Sequence, residues 1–383
     1  MPLKKILRIA LLSLTAIGFS TGFAAAGGTD SRAVVQWAPN VFVTGATDDL
    51  LNSPGVREQI CQALTAKMHE LDGQGRLPFQ LKETSKDSDT YGSNGDVNIA
   101  LIPFSVLDVS FDSKYQLPNG DFYHSVVVSG LDIAFTCPEP AENGRGGERL
   151  LGVVPLYGYG ELGQDLSLRT PVTKEQKARK YCEVTVQMIR DYLNFDAQKR
   201  AVKHFDVKAL EEGNTWQVSD VVISSNKANK IFQGENQQKI KQVIAAFFTG
   251  SYQQKTGRTV YPSAVSTDQS KAINDNMNSF VMSSPVENRT LQIPEADHKI
   301  VLDFDGVTQG EVQTKKESDV KRDIAYKAWL KKSPVEGQEK AELDAVAVRR
   351  EYKTDNVKVE YDTKDIYTEL MIKLADAMGK QKQ

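Results

Sequence analysis

Residues 41–79 read VFVTGATDDLLNSPGVREQICQALTAKMHELDGQGRLPF, a stretch that predicts a strand, a helix and a second strand. Its apolar start is typical of a short strand, and residues 54–71 have the periodicity of an amphipathic helix. A similar order returns 180 to 182 residues later, over residues 221–261. In each copy a Gly-Arg pair opens the second strand, at Gly75-Arg76 and at Gly257-Arg258. The sequence therefore predicts a repeated β-α-β unit.

The first 26 residues have the pattern of an export signal. Its positive start consists of Lys4, Lys5 and Arg8. An apolar run over residues 9–19 follows, and three alanines ending at Ala26 offer a cleavage site. A retained membrane anchor is the alternative, but the apolar run is shorter than the roughly 20 residues of a spanning helix. We therefore predict a periplasmic or secreted mature chain without a membrane-spanning segment.

The charge of the predicted mature chain gives no reason to expect nucleic acid as a partner. Removing the signal leaves 44 Lys and Arg against 50 Asp and Glu, a net charge of −6. Such a balance also gives no electrostatic attraction to an anionic membrane. The composition, with 25% charged and 40% hydrophobic residues, is that of a globular protein.

Three cysteines, Cys61, Cys137 and Cys182, lie in the first half of the chain. Each is in phase with apolar neighbours on a predicted helix or strand, so each is expected to point inward. Two interpretations remain open: three small buried apolar side chains, or one disulfide and one free thiol, because an exported protein meets an oxidising compartment. A catalytic thiol is disfavoured, since the sequence pairs no histidine with any of the three. We predict no metal site and no cofactor.

The first predicted domain, residues 27–195, continues from the β-α-β unit into three long strands. Residues 97–104 are apolar on both faces, which is typical of a central strand covered on both sides. Two more β-rich stretches follow, at residues 123–137 and 149–159. Thr173 and Gln176 have the spacing of a capping box, so we expect a closing helix to begin there.

The second predicted domain spans residues 218–383, after a charged linker at 196–217. Its copy of the β-α-β unit is followed by a hairpin at 299–314, helices at 319–332 and 336–350, a strand at 357–361 and a helix at 364–378. The predicted fold class is α+β, with two tandem α/β domains, each a mixed or antiparallel sheet carrying two helices. The echo between the two domains suggests a duplication.

This order of elements resembles the small α/β domain of the TolB amino-terminal, CsgG and FlgT families of the bacterial cell envelope. The resemblance covers most of residues 34–195 and, more loosely, 216–380, and it depends on apolar strands such as 97–104. Those families end their first strand in Leu-Pro-Phe, whereas here a similar ending occurs later, at Ile102-Pro103-Phe104. The resemblance implies a domain that acts through contacts in envelope assemblies, and it implies no catalytic residues.

Residues 300–307 read IVLDFDGV, which resembles the first motif of the haloacid dehalogenase phosphatases. That resemblance implies Asp303 as the nucleophile and Asp305 as the acid/base, with Mg²⁺ offsetting their charge. The alternative is structural, with Asp305-Gly306 as a two-residue hairpin turn and Asp303 on a strand face. We favour the hairpin, because the phosphatase motif opens its domain whereas this string lies late in the chain.

A second short segment, Gly158-Tyr159-Gly160, has two interpretations. Together with Tyr157 it could form an aromatic platform for a ligand, or it could be a strand that ends in a glycine turn. We favour the turn.

The sequence as a whole favours an exported, non-enzymatic protein that binds an envelope or secreted protein partner. Two alternatives stay open: a Mg²⁺-dependent phosphatase that uses Asp303 and Asp305, and a periplasmic small-ligand-binding protein.

Overall fold

A computed structural model of the chain describes the elements of two sheets and three helices. The described residues are 33–37, 40–83, 99–117, 120–139, 147–163, 167–198, 215–224, 226, 229, 235–263, 290–316, 319–334, 341–342, 346–352, 360–361 and 372–373. The export signal predicted at residues 1–26 lies outside them and stays a prediction. Residues Arg32–Gln383 cluster as one compact unit.

Three helices are described, and the sequence predicted the position of each. Their bounds are Val56–Gly73 (α1), Lys174–Tyr192 (α2) and Glu235–Thr256 (α3). The capping box at the start of α2 is confirmed, since Thr173 Oγ1 accepts from the Gln176 backbone N–H and Gln176 Oε1 accepts from the Thr173 N–H. None of the described helices is both long and apolar enough to cross a membrane.

The first sheet contains eight of the described strands. Its early strands are Ala33–Trp37 (β1), Phe42–Thr47 (β2), Phe79–Glu83 (β3), Ile99–Leu117 (β4), Gly120–Glu139 (β5) and Gly147–Leu162 (β6). β1 pairs in parallel with β3 and β4, β2 pairs in parallel with β4, and β4, β5 and β6 form an antiparallel meander. The α+β fold class is confirmed. The sequence missed β1, which lies before the stretch that predicted the first strand.

The long strand β4 is covered on both faces, as its sequence predicted. Ile99 and Leu101 belong to a hydrophobic cluster with α1 and α2, whereas Ala100 and Ile102 belong to a second cluster with α3. Sheet residues alternate between the two faces, so the continuous apolar run places α1 and α2 on one side of the sheet and α3 on the other.

The second sheet contains six of the described strands. They are Thr215–Ile223 (β7), Thr259–Val260 (β8), His298–Lys316 (β10), Asp319–Pro334 (β11), Ala341–Glu342 (β12) and Val346–Tyr352 (β13), while the short β9 (Thr290–Gln292) and β14 (Glu360–Tyr361) join the first sheet. The order β8-β7-β10-β11 has the same parallel and antiparallel pairings as β3-β1-β4-β5. A common origin by duplication stays a prediction.

The two predicted domains share one hydrophobic cluster. It contains Ile102 and Val128 from the first sheet, Ile244 from α3, and Val221 and Leu302 from the second sheet. The division at residues 196–217 stays a prediction, because most of those residues lie outside the described part.

The prediction of a hairpin turn at Asp305-Gly306 is wrong. β10 continues through this pair to Lys316 and has a register shift between Phe304 and Gly306, which is a β-bulge. β10 and β11 pair over nearly their whole length, and this pairing outweighs the local turn preference of Asp-Gly.

Helices predicted at 319–332 and 336–350 are also wrong where the chain is described. The first is strand β11, and the second contains β12 and most of β13. Their helix-like spacing of apolar residues is overridden by pairing of β11 with both β10 and β13. Of the last helix predicted at 364–378, only the helical residues 372–373 are described.

Candidate functional site

A cleft of about 680 Å³ lies between β6, α2 and α3. Its lining consists of Pro155, Tyr157, Gly158, Tyr159, Gly160, Lys180, Glu183, Val184, Gln187, Met188, Asp191, Tyr192, Phe247, Gly250, Ser251, Gln254, Ile372 and Lys373. Pockets for small ligands typically have about 300 to 1,000 Å³. The cleft is therefore large enough for an organic molecule of ordinary size.

The carboxyl-terminal half of β6 supplies the floor of this cleft. Tyr157 and Tyr159 pack against the cluster that contains α3, and each ring contacts Phe247, with centroids 6.0 and 6.4 Å apart. Gly158 approaches α2 so closely that a β-carbon there would lie 2.9 Å from Met188 Cγ. The predicted glycine turn is wrong, because β6 runs on to Leu162. Both rings lie against Phe247, and the alternative interpretation, a platform for a ligand, stays a prediction.

The ring of Tyr157 is wedged between two glycines. A β-carbon at Gly130 of β5 would lie 2.8 Å from one edge of the ring, and a β-carbon at Gly250 of α3 would lie 2.8 Å from the other edge. Gly130 is also the residue directly opposite Tyr157 in the β5–β6 register. The missing side chains of both glycines thus make room for one large aromatic ring.

Behind the ring, the hydroxyl of Tyr157 donates a hydrogen bond of 2.6 Å to Oδ1 of Asp132. Asp132 is only 2% exposed, and burial raises its pKa to about 7, an effect that the Tyr157 hydrogen bond partly opposes. Burial, followed by the charge of Asp132, raises the pKa of Tyr157. The pair therefore contains a carboxyl group that changes charge near neutral pH.

Charged side chains at the rim of the cleft are paired with neighbours. Lys180 Nζ lies 2.9 Å from Glu183, and Gln187 donates a hydrogen bond of 2.6 Å to Asp191. Tyr192, which is 55% exposed, adds a large apolar surface to the rim. The cleft thus combines an aromatic floor with charges of both signs.

A second cavity, of about 380 Å³, is lined by three lysines and two aspartates. Lys177 pairs with Asp112 at 2.5 Å, Lys239 of α3 pairs with Asp48, and Lys174 pairs with the neighbouring Asp49 at 2.8 Å. Because each lysine already has a carboxylate partner, this network acts as an electrostatic link between α3 and the β2–α1 loop.

A second buried carboxylate, Asp108, organises the β2–α1 loop. Its Oδ2 accepts hydrogen bonds from the backbone N–H groups of Leu50 and Leu51, at 2.9 and 3.0 Å, and from the hydroxyl of Thr47, at 3.0 Å. Burial raises its pKa to about 6 despite these bonds. Asp108 therefore has a structural role at the start of α1.

Of the two aspartates in the phosphatase-like motif, the structure describes the side chain of Asp303 only, so a shared acidic site stays a prediction. Asp303 lies on β10 opposite Val222 and Lys331, on the face turned away from Leu302 and Phe304 of the core. The side chain of Asp305 lies outside the described residues. Among the side chains that are described, no group of three or more His, Cys, Asp or Glu could hold a metal ion.

All three cysteines are free thiols in the structure. Cys137 and Cys182 are buried in the cluster with α1 and α2, and Cys61 packs against it half-buried. Burial raises the pKa of Cys61 and of Cys182, which keeps both as thiols rather than thiolates. Whether two of them pair in an oxidising compartment stays a prediction.

Sequence reasoning missed Gly250 of the cleft lining and Asp132, which lies behind it. Asp132 lies within an apolar strand, where a lone acid was a hint of a buried polar contact, but its partner Tyr157 is 25 residues away.

A comparison with protein-family models and with curated proteins finds no match for this chain.

Proposed function

We propose that this is an exported binding protein without a catalytic step, and that its ligand site is the cleft between β6, α2 and α3. The observation that carries the proposal is the aromatic floor of Tyr157, Tyr159 and Phe247 inside a cleft of about 680 Å³. Buried aromatic rings with a few polar groups at the edge are the usual composition of small-ligand sites.

The ligand is a neutral molecule with a flat apolar portion. Lysine and carboxylate side chains at the rim largely offset one another, so the cleft does not select strongly for either sign of charge. The recognition energy then comes from apolar and aromatic contact at the floor.

A neutral fluorescent probe tests this site. N-phenyl-1-naphthylamine is expected to bind the mature protein saturably, with a rise in fluorescence and in melting temperature. Gln254→Trp places a large side chain in the cleft from an exposed position of α3 and should abolish this binding. Lys255→Trp, at the next exposed position and outside the lining, is the matched control and should bind normally. Equal binding by both variants would contradict the site.

A second candidate function, contact with an envelope or secreted protein, is favoured by the exposed ring of Tyr192. Large exposed aromatic side chains next to an apolar groove are common at protein interfaces. A photo-crosslinking amino acid at position 192 should then capture one discrete partner in cells, whereas the same group at exposed Arg190 should not. Capture at neither position, or equally at both, would remove this candidate.

Export and the lack of catalysis have their own tests. Mass spectrometry of the protein from cells should find a mature chain that begins near residue 27. Turnover of a phosphoester with Mg²⁺ that Asp303→Asn abolishes would contradict a pure binding role.

A further inference from the structure

We propose that Asp132 is a positioning residue for the cleft: its carboxylate holds the ring of Tyr157 in the floor, and the affinity of the cleft changes when Asp132 gains or loses a proton. This inference rests on the proposed function. Asp132 does not line the cleft, yet in this proposal it controls how tightly the cleft binds its ligand.

The geometry makes Tyr157 the shared wall of two spaces. Tyr157 lines both the cleft and a cavity of about 10 Å³ that Asp132 also lines. The edges of the ring are held by Gly130 and Gly250, and the hydroxyl is held by the 2.6 Å bond to Asp132. A change at the carboxyl group is therefore transmitted to the ligand surface through a single rigid ring.

The surroundings of Asp132 contain few groups that titrate. The small cavity is lined by Val106 and Leu107 of β4, Gln242 and Ala246 of α3, and Ser263, in addition to Asp132 and Tyr157. Burial and the Tyr157 hydroxyl are the two influences on the pKa of Asp132, which lies at about 7. The proton on Asp132 is thus exchanged near neutral pH.

The direction of the effect follows from the hydrogen bond. A hydroxyl donating to a carboxylate makes a bond roughly twice as strong as one to a neutral carboxyl group. Tyr157 is therefore held most firmly above pH 7, and the ligand surface is best defined there. Affinity should fall as the pH falls through 7, and a bound ligand should in turn lower the pKa of Asp132.

The dissociation constant of N-phenyl-1-naphthylamine, measured from pH 5.5 to pH 8.5, tests the inference. Wild type should bind about five-fold more weakly at pH 5.5 than at pH 8.5, as expected from the weaker hydrogen bond. Asp132→Asn keeps an oxygen that accepts from Tyr157 but cannot titrate, and Tyr157→Phe keeps the ring but not the hydroxyl. Both variants should bind with little dependence on pH, and since both retain the rim charges of Lys180, Glu183, Asp191 and Lys373, they isolate the buried pair.

A second measurement needs no ligand. The ring resonances of Tyr157, identified by their absence in Tyr157→Phe, should shift with a midpoint near pH 7 in wild type and should not titrate in Asp132→Asn. Affinity that is independent of pH in wild type, or a pH effect that survives in both variants, overturns the role of Asp132 and leaves the cleft proposal standing. Failure of the probe to bind folded wild type at any pH overturns the cleft itself and with it the control of affinity.

Discussion

Asp108 and Asp132 are both buried carboxyl groups on neighbouring strands of the first sheet, yet they lie on opposite faces and do different work. Asp108 faces the side of α1 and accepts three hydrogen bonds at one oxygen, two of them from backbone N–H groups. Asp132 faces the side of α3 and accepts one bond, from a tyrosine that lines the cleft. Their exposed fractions are nearly equal, 1% and 2%.

The difference teaches that burial alone does not decide the role of a polar group. Burial raises the pKa of Asp108 to about 6 and that of Asp132 to about 7, and Asp108 accepts more hydrogen bonds that favour its charged form. The Asp108 carboxylate accepts hydrogen bonds from the backbone and so fixes a loop. The Asp132 carboxylate accepts one bond from one side chain, so a change in that bond can release the side chain.

The largest effect is expected from Asp108→Ala. The change leaves the Leu50 and Leu51 N–H groups without their acceptor in a buried loop, so the free energy of unfolding should fall by about 4 kcal/mol. Chemical denaturation measures this, and Asp108→Asn, which keeps one acceptor oxygen, should lose less. A similar loss in Asp132→Asn would erase the contrast between the two sites.

The pH dependence of stability should separate the two carboxyl groups next. A carboxyl whose folded pKa is raised keeps a proton that the unfolded chain has lost, so its contribution is full below about pH 4 and is lost as the pH rises through the folded pKa. Between pH 5 and pH 8 this removes about 3 kcal/mol for Asp132 and about 1 kcal/mol for Asp108. Asp132→Asn should therefore reduce the pH dependence of the free energy of unfolding more than Asp108→Asn does. The opposite order would mean that Asp108 has the more strongly raised pKa.

Gly250→Ala should disturb the packing around the Tyr157 ring and so destabilise the protein. The new β-carbon would lie 2.8 Å from the ring, and we expect a loss of about 2 kcal/mol from overpacking. Gly73→Ala in α1 is the matched control, because nothing lies within 4 Å of its β-carbon. That variant should be neutral or slightly stabilising, and equal losses in both would mean that Tyr157 is not wedged.

The smallest effect is expected from Lys239→Ala. This change removes the ion pair with Asp48 that links α3 to the β2–α1 loop, while Asp48 keeps its hydrogen bonds to Ser110. Because the pair is partly exposed, the loss should be about 0.5 kcal/mol and should shrink in high salt. A larger loss that does not depend on salt would mean that this ion pair stabilises the β2–α1 loop about as much as Asp108 does.

Local chemistry predicted the helices well and the second half of the chain poorly. The start of α2 follows from Thr173 and Gln176, and the coverage of β4 on both faces follows from its unbroken apolar run, because both signals act over a few residues. The long β10–β11 hairpin did not follow from the sequence, since Asp305-Gly306 suggested a turn and 319–332 suggested a helix. The pairing of β10 with β11 along almost their whole length decided both.

The candidate site shows the same limit more sharply. Tyr157, Gly158, Tyr159 and Gly160 were visible as an unusual segment, but its neighbours gave no reason to prefer a platform over a turn. Asp132 and Gly250 gain a role only when β5 and α3 are brought to β6.

By itself the sequence determined the α+β class, the three helices, the covered central strand and the expectation of an export signal, because periodicity and capping are encoded by neighbouring residues. Only the tertiary structure decided that two glycines 120 residues apart make room for one tyrosine, and that a buried aspartate behind it meets the floor of a cleft. Such proximity depends on how strands and helices pack, and no short stretch of the chain contains that information.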